Sequence, residues 1–491
     1  MNRWALILAA VFLAGCARFE PQPISPAKTA ADLENRSLTN AALKIFLEKN
    51  LHRELNGWPA VAWDFDMLAD AAFLYHPDLA VARAQGHLAQ AGVQTAGGRP
   101  NPSLSLVPGY DTTHSPLSPW FPAVSFDVPI ETAGKRGHRI AAAEQLSESA
   151  RLNIATVAWQ VRSRLRSSLL DFAASKQRAA LLQDQVSLQE QIVKLLEQQA
   201  QAGAIASAEA STSRIALHKL RLDLADAWRQ QAEARARVAE AIGVPVAALG
   251  VPASGASAAR PPENGTPDGS ELELSFDPLK APVAAGDLTS AAVRRAALQS
   301  RTDILGALAE YAAAQSTLQL EIAKQYPDVH LSPGYQYDQG DNKWSLGITF
   351  ELPVLNQNQG PIAEAGARRE ESAARFNALQ ARVLAEIERA VEVFRASEKD
   401  LDLLGSLAAA QAQQRDAAEA QAKAGAAGRL ESVSARSEFV SAQLLQLDGQ
   451  FKFQQAAGAL EDAVQRPFNL PDLLPPPARP APAKSAARDN L

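Results

Sequence analysis

The chain holds one cysteine among its 491 residues, Cys16, so it forms no disulfide within itself. Two methionines, and seven histidines without ligand spacing, His114 and His138 among them, leave no basis for a soft-metal cage or a resident metal. Aromatic residues are scarce at 6%, although the hydrophobic fraction reaches 47%. Small apolar side chains, alanine above all, suit closely packed helices better than the bulky core of a large globular enzyme. Basic excess is missing too: 48 Lys and Arg stand against 54 Asp and Glu, and a net charge of −6 argues against nucleic acid as a partner. No phosphate-cradling glycine loop precedes a Lys-Ser/Thr pair, and neither a zinc-type His pair nor a nucleophile motif occurs. An enzyme is the weakest function class, and no cofactor is expected.

Behind Arg3, an apolar run extends from Trp4 to Ala14. It is too short to span a bilayer permanently and fits the h-region of an export signal over residues 1–15. The run ends in Leu13-Ala14-Gly15-Cys16, which resembles a bacterial lipobox. That resemblance makes Cys16 a lipidated mature N-terminus. Ala17, where an aspartate would signal inner-membrane retention, implies the outer membrane. The alternative is an ordinary signal peptide with an incidental cysteine.

Internal repetition dominates the rest. Pro108-Gly109-Tyr110 recurs 225 residues later as Pro333-Gly334-Tyr335, and Pro77-Asp78-Leu79 faces Thr302-Asp303-Ile304 at the same offset. Val124-Ser125-Phe126-Asp127-Val128-Pro129-Ile130 recurs 224 later as Ile348-Thr349-Phe350-Glu351-Leu352-Pro353-Val354, and Ala202-Gly203-Ala204 recurs 222 later as Ala424-Gly425-Ala426. Four matches in one order at a near-constant offset indicate a tandem duplication. The expected layout is an extension over 16–60, a first copy over 61–250, a Pro/Gly/Ala/Ser-rich linker over 251–286, a second copy over 287–470 and a disordered tail over 471–491. A further helix is expected around Ala41 to Leu55.

Each copy opens with a helical segment, roughly Asp66 to Ala96 and Leu288 to Gln325. Strands follow, about 103–130 and 328–354. Trp344, Leu346, Ile348, Phe350, Leu352 and Val354 alternate with small or polar residues, the pattern of a strand with one apolar and one wet face. Asp338-Gln339-Gly340-Asp341-Asn342 supplies the turn before it. Such hairpins commonly cover a soluble core. Here they approach the length that crosses a membrane at a tilt, and Tyr110, Trp120, Phe121, Tyr335, Tyr337 and Trp344 crowd their ends like an interfacial girdle. Open sheet edges cannot face lipid, and four strands enclose no channel, so a barrel would have to close between chains. Very long helices come next. Arg139 to Ala202 contains neither Gly nor Pro, with Leu181, Leu188 and Leu195 seven apart, and ~64 residues at 1.5 Å rise would span ~95 Å. A return helix is expected over Ala204 to Ile242. Ile362 to Ala424, with the stripe Val383, Ile387, Val391 and Phe394, and then Arg429 to Gln465 repeat the pattern.

This duplicated order, its paired strand motifs and its glycine turns resemble the TolC-like outer membrane efflux family from about Asp64 to Pro467. Gly134-Lys135-Arg136-Gly137-His138-Arg139 with Ala141-Ala142-Ala143-Glu144, and Asn358-Gln359-Gly360-Pro361-Ile362-Ala363-Glu364-Ala365, look like its heavy-metal lipoprotein branch. The resemblance implies an α+β membrane protein: a homotrimer whose 12-stranded outer-membrane barrel, four strands per chain, continues into a periplasmic α-helical coiled-coil barrel. It also implies a periplasmic adaptor and an inner-membrane proton-driven RND-type pump as partners. Cargo remains open among metal ions, drugs and secreted polypeptides. The rival from another class is a lipid-tethered periplasmic coiled-coil adaptor without a pore, against which the amphipathic strands argue.

Four sets of residues stand out. Cys16 is the lipid attachment point. Gly134, Lys135, Arg136, Arg139, Asn358 and Gly360 mark the junction of strands and long helices. The three cations oppose the dipole of the helix they begin, so they either meet lipid phosphates or form surface ion pairs. Gly203, Glu209, Gly425 and Glu431 mark the helix-hairpin ends, which the resemblance makes the periplasmic tip and adaptor contact. Glu431 is then a gate residue or a plain surface carboxylate, and Ser434 replaces a second acid common in the family. Asp127 and Glu351 lie on polar strand faces, either attracting cations into the lumen or keeping it wet.

Overall fold

The computed structural model describes residues 19–55, 57–112, 119–250, 272–280 and 291–467. The export signal, Cys16, His114, most of the linker and the tail over 471–491 lie outside the described residues. Helices α1 (Pro26–Glu34) and α2 (Ala41–Leu51) lead to strand β1 (Ala62–Trp63). A first series follows: α3 (Phe65–Tyr75), α4 (Pro77–Ala96), β2 (Ser103–Val107), β3 (Ala123–Ile130), α5 (Lys135–Gln201) and α6 (Ser207–Ile242). Strand β4 (Glu273–Leu274) precedes the second series: α7 (Ala291–Ser300), α8 (Thr302–Ala323), β5 (Val329–Asp338), β6 (Asp341–Phe350), α9 (Gln359–Lys423) and α10 (Arg429–Val464). One order of elements occurs twice, with long helices of 67 and 65 residues and return helices of 36 residues each. No helix among the described residues is long and apolar enough to cross a membrane.

The helical segments expected to run unbroken are each split. Pro77 forces His76 into extended backbone, and the His76 imidazole then caps α4 by accepting the Asp78 N–H at 3.2 Å. The second split, at Arg301, has no proline. There the buried guanidinium donates to its near neighbour Asp303 at 2.7 Å and to the distant Ala463 carbonyl at 2.6 Å, and the second, tertiary tie has no local signature. In the opposite sense, α5 begins four residues before Arg139 and runs through Gly137.

Helix packing also departs from the expected heptad. The buried seam of α5 against α6 is Ala179, Leu182, Val186 and Val193, facing Leu217, Leu224 and Ala227. Leu181 is instead half-buried toward Leu170, Leu279 and Leu447, because α5 packs against α10 as well as α6. The stripe on α9 is as expected: Val383, Ile387, Val391 and Phe394 are buried with Ala457 and Leu460. Leu43 and Leu47 of α2 join Trp63, Leu68, Leu165 and Val238, so the N-terminal extension is docked into the first series. Strands β1 and β4 pair in parallel, and Leu272 enters that same core. Part of the expected linker is therefore structure, its short apolar set hidden by flanking Pro, Gly and Ser.

The four long-range strands form one antiparallel sheet in the order β2-β3-β5-β6. Its register stacks Leu104 on Phe126, Val128 on Leu331 and Leu331 on Ile348, so the apolar residues share one face. That face is uncovered: Leu346 is 67% exposed and Trp344 80%. Serines, glycines, Asp127 and His330 occupy the other face. The β5–β6 turn is tighter than expected, because Gln339 and Gly340 both take positive φ and leave Asp338 paired with Asp341.

Candidate functional site

The sheet is the first of three places where the expected residues meet. Tyr110 packs on Trp120 with ring centroids 5.0 Å apart, and Tyr335 on Trp344 at 4.9 Å, so each series carries one aromatic pair at the same end of its strands. Strands β2 and β6 have no partner along their outer edges among the described residues. Asp127 lies on the polar face, where both its carboxylate oxygens are within 3.1 Å of His330 Nδ1. Glu351 does not join it. The last paired residue of β6 is Phe350, and Glu351, Leu352 and Val354 lie beyond the strand, whose alternation in sequence outlasts its pairing.

The second place is the junction. Gly134 and Asn358 occupy equivalent positions and both take left-handed backbone, with φ of 71° and 61°. Asparagine is among the few side chains that tolerate that region. The cations that follow Gly134 are engaged within the chain. Arg136 Nε donates to the Gly97 carbonyl at 2.8 Å, and Arg139 donates to the Ala96 and Gly98 carbonyls at 3.0 and 3.1 Å. Arg139 also grips Glu131 with two nitrogens, the shorter bond 2.6 Å. These groups oppose the dipole of α5 but complete the carbonyl end of α4, where positive charge is favourable. Asn358 does the same for α8, its Nδ2 donating to the Glu321 carbonyl at 2.7 Å. Gly360 has open space around it.

Lys135 is buried, and its Nζ lies 2.8 Å from Asp328 Oδ1, which also accepts the Thr132 N–H at 2.9 Å. Burial works against the charge on Asp328, but these two bonds outweigh it and hold the carboxyl below its ordinary value. A depressed carboxylate contributes stability above its unfolded value and loses it as pH falls through the lower folded one. Asp328→Asn is therefore expected to loosen the junction by about 2 kcal/mol at neutral pH, allowing for the partial exposure of Asp328. Its deficit relative to the parent should vanish in acid well below pH 4, where the parent carboxyl is protonated as well. Limited proteolysis at the 130–140 segment across pH checks both statements.

The third place is the pair of helix-hairpin ends. Gly203 and Gly425 take φ of 73° and 76°. The following residue closes the same motif in each, Ala204 N–H to Gln199 O and Ala426 N–H to Gln421 O, both 2.9 Å. Arg214 pairs with Glu197 at 2.5 Å and Arg436 with Glu419 at 2.7 Å, tying each hairpin at matching heights. Glu209 and Glu431 lie in the first turns of α6 and α10, exposed and, among the described residues, without an ion-pair partner. Ser434 is half-buried.

One cluster had no expectation attached. Glu461 is 5% exposed and lies 3.5 Å from both Arg162 and Arg166. Next to it Asp462 accepts the Trp159 indole N–H at 2.9 Å and the Ser163 hydroxyl. Burial lowers the Arg166 guanidinium, with Glu461 and Asp462 opposing. The cluster joins α5 to α10 beside a cleft of about 540 Å³ that Trp159, Ser163 and Asp462 help to line. Its only signal in the sequence is charge on an otherwise apolar stretch, with partners some 300 residues away.

The geometry has counterparts in known proteins. The family model described as outer membrane efflux protein matches residues 68–244 and 293–464, which coincide with the two series of elements. The cobalt-zinc-cadmium resistance protein CzcC of Cupriavidus metallidurans is 24% identical over 278 residues. That alignment spans 56% of this chain and 59% of CzcC. The crystal structure of CusC superposes with a TM-score of 0.61 at 16% identity, covering 84% of this chain and 94% of that one. The outer membrane protein VceC of Vibrio cholerae gives 0.63 at 18%, covering 82% and 96%. A family match across both series, on a fold shared with these proteins, makes the chain a member of the outer membrane efflux protein family.

Proposed function

We propose that the protein is the outer-membrane channel of a tripartite efflux system, passing heavy-metal cations from an inner-membrane proton-driven pump and a periplasmic adaptor to the exterior. One observation carries the proposal: a four-stranded sheet with a polar face and, among the described residues, an uncovered apolar face and two unpaired edges. Lipid on the apolar face and identical neighbours on the edges satisfy it, and three copies close a 12-stranded barrel. The helix hairpins continue it as a periplasmic tunnel, and lipidation of Cys16 anchors the chain. The pump supplies the energy, so the channel needs no catalytic residue. The match to CzcC favours metal cations over drugs or polypeptides as cargo.

Protein extracted from outer membranes is expected to size as a trimer and to conduct in planar bilayers. A stable monomer without conductance would sink the proposal. In the closed trimer three copies of Glu431 face one axis, so Glu431→Gln is expected to weaken cation preference in the reversal potential. An unchanged reversal potential leaves Glu431 as a helix-start carboxylate.

A further inference from the structure

The polar face of the sheet carries one imidazole, His330, the only histidine in the four strands. Its Nδ1 lies 3.0 Å from Asp127 Oδ2 and 3.1 Å from Oδ1. A carboxylate only accepts, so Nδ1 carries the proton, and in the neutral ring Nε2 is left as a bare lone pair. Among the described residues Nε2 has no partner, and the ring is 40% exposed. Its neighbours in the register are small: Thr349 pairs with it on β6, and Ser332 and Gly347 pair two residues along. Ser332 donates to the same carboxylate at 3.4 Å, completing the hold on Asp127.

A carboxylate that fixes one ring nitrogen and leaves the other open is the arrangement by which proteins orient an imidazole toward a metal and raise its basicity. The geometry points to His330 Nε2 as a weak binding site for borderline divalent cations such as Zn²⁺, with Asp127 as its positioning residue. One imidazole with water completing the shell binds loosely, and a site on a conduction path has to release what it takes. Imidazole nitrogen prefers Zn²⁺ over the oxygen-seeking Mg²⁺, so the site discriminates between divalent ions of equal charge. That it faces a conduction path rests on the channel function proposed above; the binding chemistry does not.

The test treats full-length protein in detergent with diethyl pyrocarbonate and reads modification at each histidine by peptide mass spectrometry, in graded Zn²⁺ or Mg²⁺. Zn²⁺ is expected to shield His330 at concentrations about 10-fold below those that shield the exposed helical His87 and His218, and Mg²⁺ to shield none. Asp127→Asn is expected to raise the Zn²⁺ requirement at His330 about 10-fold. Equal shielding at all three histidines, equal action of Mg²⁺, or indifference to Asp127→Asn overturns the site. Planar-bilayer recording of the same preparation separates the two claims. Conductance without selective shielding removes the site and keeps the channel, whereas selective shielding without conductance keeps the site and removes the channel.

Discussion

A lysine at Leu346 is expected to keep the protein out of the outer membrane, while a lysine one residue earlier, at Ser345, is not. The two positions are adjacent on β6, so their side chains point to opposite faces of the sheet. Leu346 lies near the middle of the strand on the face that carries Phe126, Leu331 and Ile348. If that face meets lipid, a cation at mid-depth costs about 2–4 kcal/mol per chain, and the proposed trimer would carry the cost three times. Ser345 faces Gly334 on the polar side, where a lysine reaches water. Membrane fractionation with a trimer-mobility assay reads the result. Equal assembly of Leu346→Lys and Ser345→Lys would mean that the apolar face is covered by protein and that no barrel forms.

The contrast between those neighbours was legible in the sequence, because strand alternation is a local property. Helix-hairpin ends were legible for the same reason: Gly203 and Gly425 announce left-handed caps that few other residues adopt. What escaped depends on distant partners. The break at Arg301 is held by Ala463, the seam of α5 is displaced toward Leu182 by the presence of α10, and β1 pairs with a strand inside a segment composed like a linker. The junction was half legible. Positive charge after Gly134 was plain, but that it completes the carbonyl end of α4, some 40 residues earlier in the chain, follows only from the fold. His330 was invisible as a candidate because its orienting carboxylate lies on β3, in the other series.

Glu461→Gln is expected to be the most damaging isosteric change in the helical region, destabilising the protein by about 3–5 kcal/mol. The substitution keeps shape and removes charge from a side chain shared by Arg162 and Arg166. Asp462 supports the Arg166 charge through space, but its oxygens are turned to Trp159 and Ser163, so it replaces only part of what Glu461 supplies. Gly458→Ala should reach the same end from the other side. A methyl at Gly458 would lie 0.8 Å from Arg166 Nη2, so the guanidinium must leave its place beside Glu461. If the deficit is the cost of uncompensated buried charge, then converting Arg162, Arg166 and Glu461 together to leucine or methionine should recover most of the lost stability, since apolar replacements of buried ion pairs are often neutral or better. Thermal melting of detergent-purified variants measures all three. Failure of the triple variant beside a damaged Glu461→Gln would locate the stabilisation in directional bonds across α5 and α10, and a harmless Glu461→Gln would show that packing alone joins the two helices.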